Sequence, residues 1–64
     1  MYTIRTWHPF GEVVSRLTMA GYTVGQEIRI HEIANFVEQC RRHNLNTMFV
    51  GHEVFVDSSL FRQR

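Results

Sequence analysis

The side chains best suited to recognition chemistry lie in one short stretch: Gln39, Arg41, Arg42, His43, Asn44 and Asn46. Arginine, asparagine and glutamine are the side chains that contact phosphates and the edges of bases. A solvated helix end has a similar composition, because arginines there complement the helix dipole. The stretch therefore leaves open both DNA binding and a purely structural helix end.

The charge of the chain does little to decide between DNA binding and a structural helix end. The formal net charge is +1, which gives no strong attraction for nucleic acid or for a membrane surface. All seven basic residues are arginine. Arginine is the better residue for bidentate contacts to phosphate and guanine, but a GC-rich genome would produce the same usage.

Metal binding and catalysis have weaker support in the sequence. Cys40 and His43 are one helical turn apart and His52 follows, but no second cysteine or histidine pair completes a metal site. A buried free cysteine usually acts as a small apolar residue. Asp57 to Ser59 lack a nucleophile elbow, and no glycine-rich phosphate loop is present. We predict a protein that is not an enzyme, with no metal and no cofactor.

Length and composition indicate one soluble domain. A chain of 64 residues is close to the size at which a single core barely offsets chain entropy. Its one cysteine cannot form an internal disulfide, and no run approaches the roughly 18 apolar residues of a membrane span. We predict a single domain over residues 1–64, in the cytoplasm and without membrane association.

The first half of the chain predicts a strand, a helix and a hairpin. Tyr2 to Thr6 alternates apolar and polar residues, as a half-buried strand does. An apolar helical face follows and ends at Gly21, a residue suited to a left-handed cap. Tyr22 to Val24 and Glu27 to Ile30 then flank Gly25-Gln26, the pattern of a two-residue hairpin.

The second half repeats this order. A helix from about Glu32 to His43 is predicted to end at Asn44, since asparagine readily adopts the left-handed conformation. Thr47 to Val50 and Glu53 to Val56 flank Gly51-His52 as a second hairpin. A shift of 26 places superposes several residues of the two halves, among them Ile4 on Ile30, Glu12 on Glu38, Arg16 on Arg42 and Val24-Gly25 on Val50-Gly51.

These elements predict a small α+β domain of β-α-β-β-α-β-β order, with two helices on one face of an antiparallel sheet and halves of the ferredoxin-like type. The alternative is a winged helix in which residues 23 to 36 hold a helix-turn-helix.

Arg41 to Leu60, with the sequence RRHNLNTMFVGHEVFVDSSL, resembles the end of the recognition helix and the wing of excisionase and MerR-type DNA-binding domains. The matching positions are Arg41, Arg42, Leu45, Val50, Gly51, Val54 and Val56, and Leu60 lies one place early. His43 stands where the family has glycine, and Asn46 where proline is usual. The resemblance implies a small DNA-binding regulatory or accessory protein of a phage or mobile element.

The last hairpin also presents apolar side chains on both of its faces. Phe49, Val54 and Val56 share the face expected to join the core. The other face carries Met48, Val50 and Phe55. When helices cover one face of a sheet, the side chains on the opposite, solvent-exposed face are normally polar. Either Leu60 and Phe61 fold over this face, or it binds a partner.

Two functions follow from these features. The first is non-enzymatic DNA binding through Arg41, Arg42, Asn44, Asn46 and His52. The second is a protein-binding module or inhibitor that docks through Met48, Val50 and Phe55. We also predict a homodimer formed through the last hairpin, with Glu53 to Val56 as an edge strand open to pairing.

Overall fold

The computed structural model describes residues 1–7 and 11–58. Its elements are β1 (Tyr2–Thr6), α1 (Gly11–Met19), β2 (Glu27–Ile28), a 3₁₀ turn (Ile30–Glu32), α2 (Ile33–Arg42), β3 (Leu45–Val50) and β4 (Glu53–Ser58). The predicted packing of Leu60 and Phe61 lies outside the described residues, as does the Leu60 position of the resemblance.

The four strands form one sheet in the order β2-β1-β4-β3. The predicted α+β class, with one sheet and two helices, is confirmed. The prediction of a fully antiparallel sheet is wrong, because β1 and β4 run parallel while β1–β2 and β3–β4 are antiparallel. The chain reaches this arrangement because α2 connects the two edges of the sheet, and the β3–β4 hairpin then returns β4 to the centre beside β1.

The predicted strand from Tyr22 to Val24 does not form. The segment is a loop that hydrogen-bonds to β1: the Gly25 N–H donates to the Ile4 carbonyl at 2.8 Å, and the Gln26 carbonyl accepts from the Ile4 N–H at 2.9 Å. The Gln26 side chain closes the loop by accepting the Thr23 N–H at 3.1 Å. These hydrogen bonds hold the loop against β1 without a hairpin.

The winged-helix alternative is also wrong for the described residues. A strand and a 3₁₀ turn occupy the positions where the first helix of a helix-turn-helix would lie. The Arg29 N–H donates to Glu32 Oε1 at 3.3 Å, which closes that turn ahead of α2. The single helix that follows matches the predicted span closely.

Both helices pack on the same face of the sheet. The core residues are all at most 1% exposed: Ile4, Val13, Leu17, Ile28, Phe36, Cys40, Leu45, Val54 and Val56. Phe36 is the largest of them, and Tyr22 meets its ring edge-to-face with centroids 4.8 Å apart. No described helix therefore packs on the opposite face of the sheet.

The two halves share their helical ion pairs but differ in their strands. Glu12 pairs with Arg16, and Glu38 pairs with Arg42 at 3.4 Å, each four residues apart. However, Ile4 is fully buried in β1, whereas its counterpart Ile30 is 73% exposed in the 3₁₀ turn. The shift of 26 residues therefore does not describe two equivalent structural units.

Both predicted helix ends are confirmed. Gly21 has φ +99°, the Tyr22 N–H donates to the Leu17 carbonyl and the Gly21 N–H to the Thr18 carbonyl. This pair of bonds is a Schellman motif. Asn44 has φ +60° and turns the chain from α2 directly into β3. The left-handed conformation of Asn44 thus ends α2 and lets β3 begin at the next residue.

Candidate functional site

The face of the sheet on which no described helix packs is formed by alternate side chains of three neighbouring strands, β1, β4 and β3. Successive side chains of a strand point to opposite faces, and the register places Arg5 and Met48 on either side of Phe55. The surface on this side is called the open face: Thr3, Arg5, Trp7, Asn46, Met48, Val50, Glu53, Phe55 and Asp57. No described helix packs on it.

The centre of the open face is apolar. Trp7 stacks on Phe55 with ring centroids 4.5 Å apart and planes 12° apart. Met48 lies directly across from Phe55 on β3, and Val50 is two residues further along. Trp7, Met48 and Val50 are 43%, 44% and 48% exposed. These four residues form what is called the apolar patch.

The predicted partner-binding residues are therefore brought together. Met48, Val50 and Phe55 share one face, in the predicted register of Val50 with Glu53 and Met48 with Phe55. The Gly51-His52 turn that sets this register has φ +61° at Gly51, as a turn of type II′ requires at its first central position. That these residues bind a partner remains a proposal.

The charges of the open face are few and partly neutralised. Arg5 forms an ion pair with Glu53 at 3.3 Å, beside the apolar patch. Asp57 is 4% exposed, and its Oδ1 accepts the Ser58 N–H at 2.8 Å. Within the described part of this face, the one cation is thus already paired with a carboxylate.

A shallow cavity opens beside the aromatic stack. Its lining consists of Trp7, Asn46, Thr47, Met48, Phe55 and Asp57, and its volume is about 30 Å³. That is space for the tip of one small side chain or on the order of one or two water molecules. Cofactor and drug-sized ligands occupy roughly 300–1,000 Å³, so the cavity suits an anchoring side chain rather than a cofactor.

The predicted DNA-binding residues do not form one group. Arg41 and Arg42 lie at the end of α2, and Arg42 pairs with Glu38 at 3.4 Å. His52 lies in the turn at the far end of β3. A six-residue strand is about 17–20 Å long, so His52 is well separated from the two arginines.

The two predicted asparagines have different positions. Asn44 forms the left-handed turn between α2 and β3. Asn46 is exposed on the open face and lines the shallow cavity. It is the only predicted DNA-binding residue that belongs to the open face.

Cys40, the residue considered as a metal ligand, is fully buried in the core. Desolvation raises the pKa of its thiol from 9.0 to about 12. A metal ligand must be the thiolate, and this surrounding stabilises the protonated thiol instead.

Sequence reasoning missed Trp7 and misplaced the edge of the sheet. Trp7 continues the alternation of Thr3 and Arg5, a signal that was present in the sequence, but its stacking on Phe55 depends on the parallel pairing of β1 and β4. The same pairing places β4 inside the sheet. Glu53 to Val56 is therefore not an edge strand. The two edge strands of the sheet are β2 and β3.

The described helices include none that is long and apolar enough to cross a membrane. Comparison with protein-family models, with curated proteins and with solved structures finds no match.

Proposed function

We propose that this protein is a small, non-enzymatic protein-binding module that docks onto a larger protein through its open face. The observation that supports the proposal is the apolar patch at the centre of a sheet face that no described helix covers. A sheet packed on one side normally presents polar side chains to water on the other. Contiguous apolar surface rimmed by polar residues is typical of binding sites.

The composition of the patch suits an interface. Tryptophan and other aromatic residues contribute most at the centres of protein interfaces, and methionine adapts to irregular partner surfaces. The stack of Trp7 on Phe55 holds two large side chains in one arrangement before binding. Less rotamer freedom is then lost on docking, which favours affinity.

The distribution of charge favours protein over nucleic acid as the partner. Binding to nucleic acid depends on arginine or lysine side chains that contact several phosphates. On the open face, the one cation among the described residues, Arg5, is already paired with Glu53. A protein surface that is mostly apolar, with polar groups at its rim, complements this arrangement better.

DNA binding of the excisionase or MerR kind is a second proposal, and it has a separate support. Arg41 and Arg42 are both exposed at the end of α2, away from the open face. If they contact phosphates, the double variant Arg41→Ala/Arg42→Ala should fold normally and bind duplex DNA more weakly, with a smaller dependence on salt. No retention of DNA by the unmodified protein at low salt would end this proposal.

We infer a cytoplasmic location for this module from the single buried cysteine. An unpaired cysteine is typical of proteins in reducing compartments. Cell fractionation of the epitope-tagged protein tests this location, and recovery in a membrane or secreted fraction would contradict the inference.

Site-specific photocrosslinking in cells tests the docking proposal. Benzoylphenylalanine replaces Phe55 in one version of the protein and Asn35, an exposed residue of α2, in a matched control. We expect ultraviolet light to produce an adduct of discrete mass from position 55 and none from position 35. The adduct should persist after nuclease treatment and weaken when Met48→Glu is added.

Two outcomes would contradict the proposal. One is the absence of any adduct at position 55, and the other is an equal yield of the same adducts from both positions. An adduct that disappears with nuclease would instead point to a nucleic acid on the open face.

A further inference from the structure

The backbone of β3 has hydrogen-bonding groups that no described strand satisfies. The two-residue turn makes Val50 and Glu53 a hydrogen-bonded pair, so alternate residues of β3 bond to β4. The Thr3 N–H donates to the His52 carbonyl at 2.9 Å, which confirms that the even-numbered residues of β4 face β1 instead. It follows that the N–H and C=O groups of Leu45, Thr47 and Phe49 point outward from the sheet.

This edge has none of the features that usually prevent strands from pairing. Natural edge strands are kept apart by charged side chains, proline, bulges or short length. β3 is six residues long and contains neither proline nor a charged residue. Met48, Phe49 and Val50 are consecutive and 44%, 40% and 48% exposed.

The opposite edge of the same sheet is built differently. β2 has only two residues, and one of them is the exposed, charged Glu27. Short length and charge are two of the protections that β3 lacks. The contrast within one sheet singles out β3 as the edge that is suited to pairing.

We propose that β3 pairs with β3 of a second copy of this chain, antiparallel about a two-fold axis perpendicular to the sheet. The outward N–H and C=O groups of the two strands then satisfy each other, as in an ordinary antiparallel ladder. Because β3 carries no charge, the pairing places no like charges opposite one another.

Charges near the ends of β3 favour a second copy in this orientation. Arg41 and Arg42 precede the strand. Parallel pairing would bring the basic ends of the two copies together, whereas antiparallel pairing places them at opposite ends of the ladder. The exposed apolar residues at 48 to 50 also gain cover from the second copy.

The dimer would extend the proposed docking site. With a two-fold axis perpendicular to the sheet, both open faces lie on the same side of one continuous eight-stranded sheet. This consequence rests on the proposed function, but the pairing itself does not. Phe55 is one strand in from the edge, so β3 pairing does not cover it.

Sedimentation equilibrium of the purified protein over a range of concentrations tests the pairing. We expect the mass to rise with concentration from 7.6 kDa towards twice that value. Thr47→Pro removes an outward N–H without removing a bond to β4, and Phe49→Lys adds an edge charge. Each should raise the dimer dissociation constant by about 100-fold. Thr47→Pro does so by removing one hydrogen bond from each copy, and Phe49→Lys by placing a charge in the interface instead of an apolar ring.

A matched control uses the other side of the molecule. Ile30→Lys makes the same kind of change at a 73% exposed residue next to β2, and it should leave the dissociation constant unchanged. A mass that stays at 7.6 kDa at millimolar concentration would overturn the inference. So would a dimer that persists in both β3 variants, because its interface would then lie elsewhere.

Amide hydrogen exchange supplies a readout at single residues. In dilute protein, the amides of Met48 and Val50 should be protected by β4, while those of Thr47 and Phe49 exchange rapidly. Raising the concentration should protect Thr47 and Phe49 selectively. Rapid exchange at these two amides in a concentrated, dimeric sample would refute β3 pairing even if the protein associates in another way.

Discussion

Alkaline solution should destabilise this protein through Cys40. Burial raises the pKa of its thiol to about 12 from the ordinary value of 9.0. Above pH 9 the unfolded chain loses this proton while the folded chain keeps it, so the folded state binds more protons. The contribution of the thiol is therefore fully present below pH 9 and is lost as the pH rises towards 12.

The magnitude follows from the size of the shift. One pKa unit corresponds to about 1.4 kcal/mol. The unfolded thiol is already half ionised at pH 9, so the free energy of unfolding should fall by about 2 kcal/mol between pH 9 and 11. That is a large share of the ~5 kcal/mol at the lower end of the range for native proteins.

Urea unfolding followed by circular dichroism at pH 8, 9, 10 and 11, with a phosphine reductant present, measures this fall. Cys40→Ala is the matched control. It should cost roughly 1–2 kcal/mol at pH 8 through the lost packing, but should be less sensitive to pH. Tyrosines titrate in both proteins, so the difference between their slopes isolates the thiol. Parallel pH profiles for the two proteins would refute the reasoning.

Substitutions at three further positions test the packing and the turn. Phe36→Ala should cost about 3–5 kcal/mol and leave the protein largely unfolded at room temperature by circular dichroism, whereas Phe36→Leu should retain a cooperative thermal transition. Gly51→Ala forces a residue with a Cβ into φ +61° and should lower the free energy of unfolding by about 1–2 kcal/mol in urea titration; no change would contradict the turn assignment. Trp7→Leu should cost about 1 kcal/mol by removing the stack on Phe55, and a variant as stable as the parent would show that the stack is absent in solution.

Features that depend on neighbouring residues in the chain could be predicted from the sequence. Gly21 and Asn44 end their helices because few other residue types adopt a positive φ without strain. The register of β3 with β4 follows from a two-residue turn that begins with glycine. That register also places Met48, Val50 and Phe55 on one face, so three of the four residues of the apolar patch were predictable.

Features that depend on the order of strands could not be predicted in the same way. No local feature of Tyr2–Thr6 predicts that this strand pairs in parallel with β4 as well as antiparallel with β2. Gly25 suits a hairpin and a docked loop equally, and hydrogen bonds to Ile4 decide between them. Trp7 joins the patch, and β3 becomes the edge, only because β4 lies at the centre of the sheet.

Methionine labelling in living cells tests most directly whether another protein covers the open face. Met48 lies in the apolar patch and Met19 at the end of α1, at 44% and 69% exposure, so each molecule contains its own control. The measurement uses the Phe49→Lys variant, in which β3 pairing is weakened and contributes little to protection of Met48. A methionine-selective oxaziridine reagent followed by mass spectrometry gives the ratio of labelling at Met48 to that at Met19. We expect this ratio to be several-fold lower in cells than in dilute purified protein, and an unchanged ratio would contradict the proposed docking.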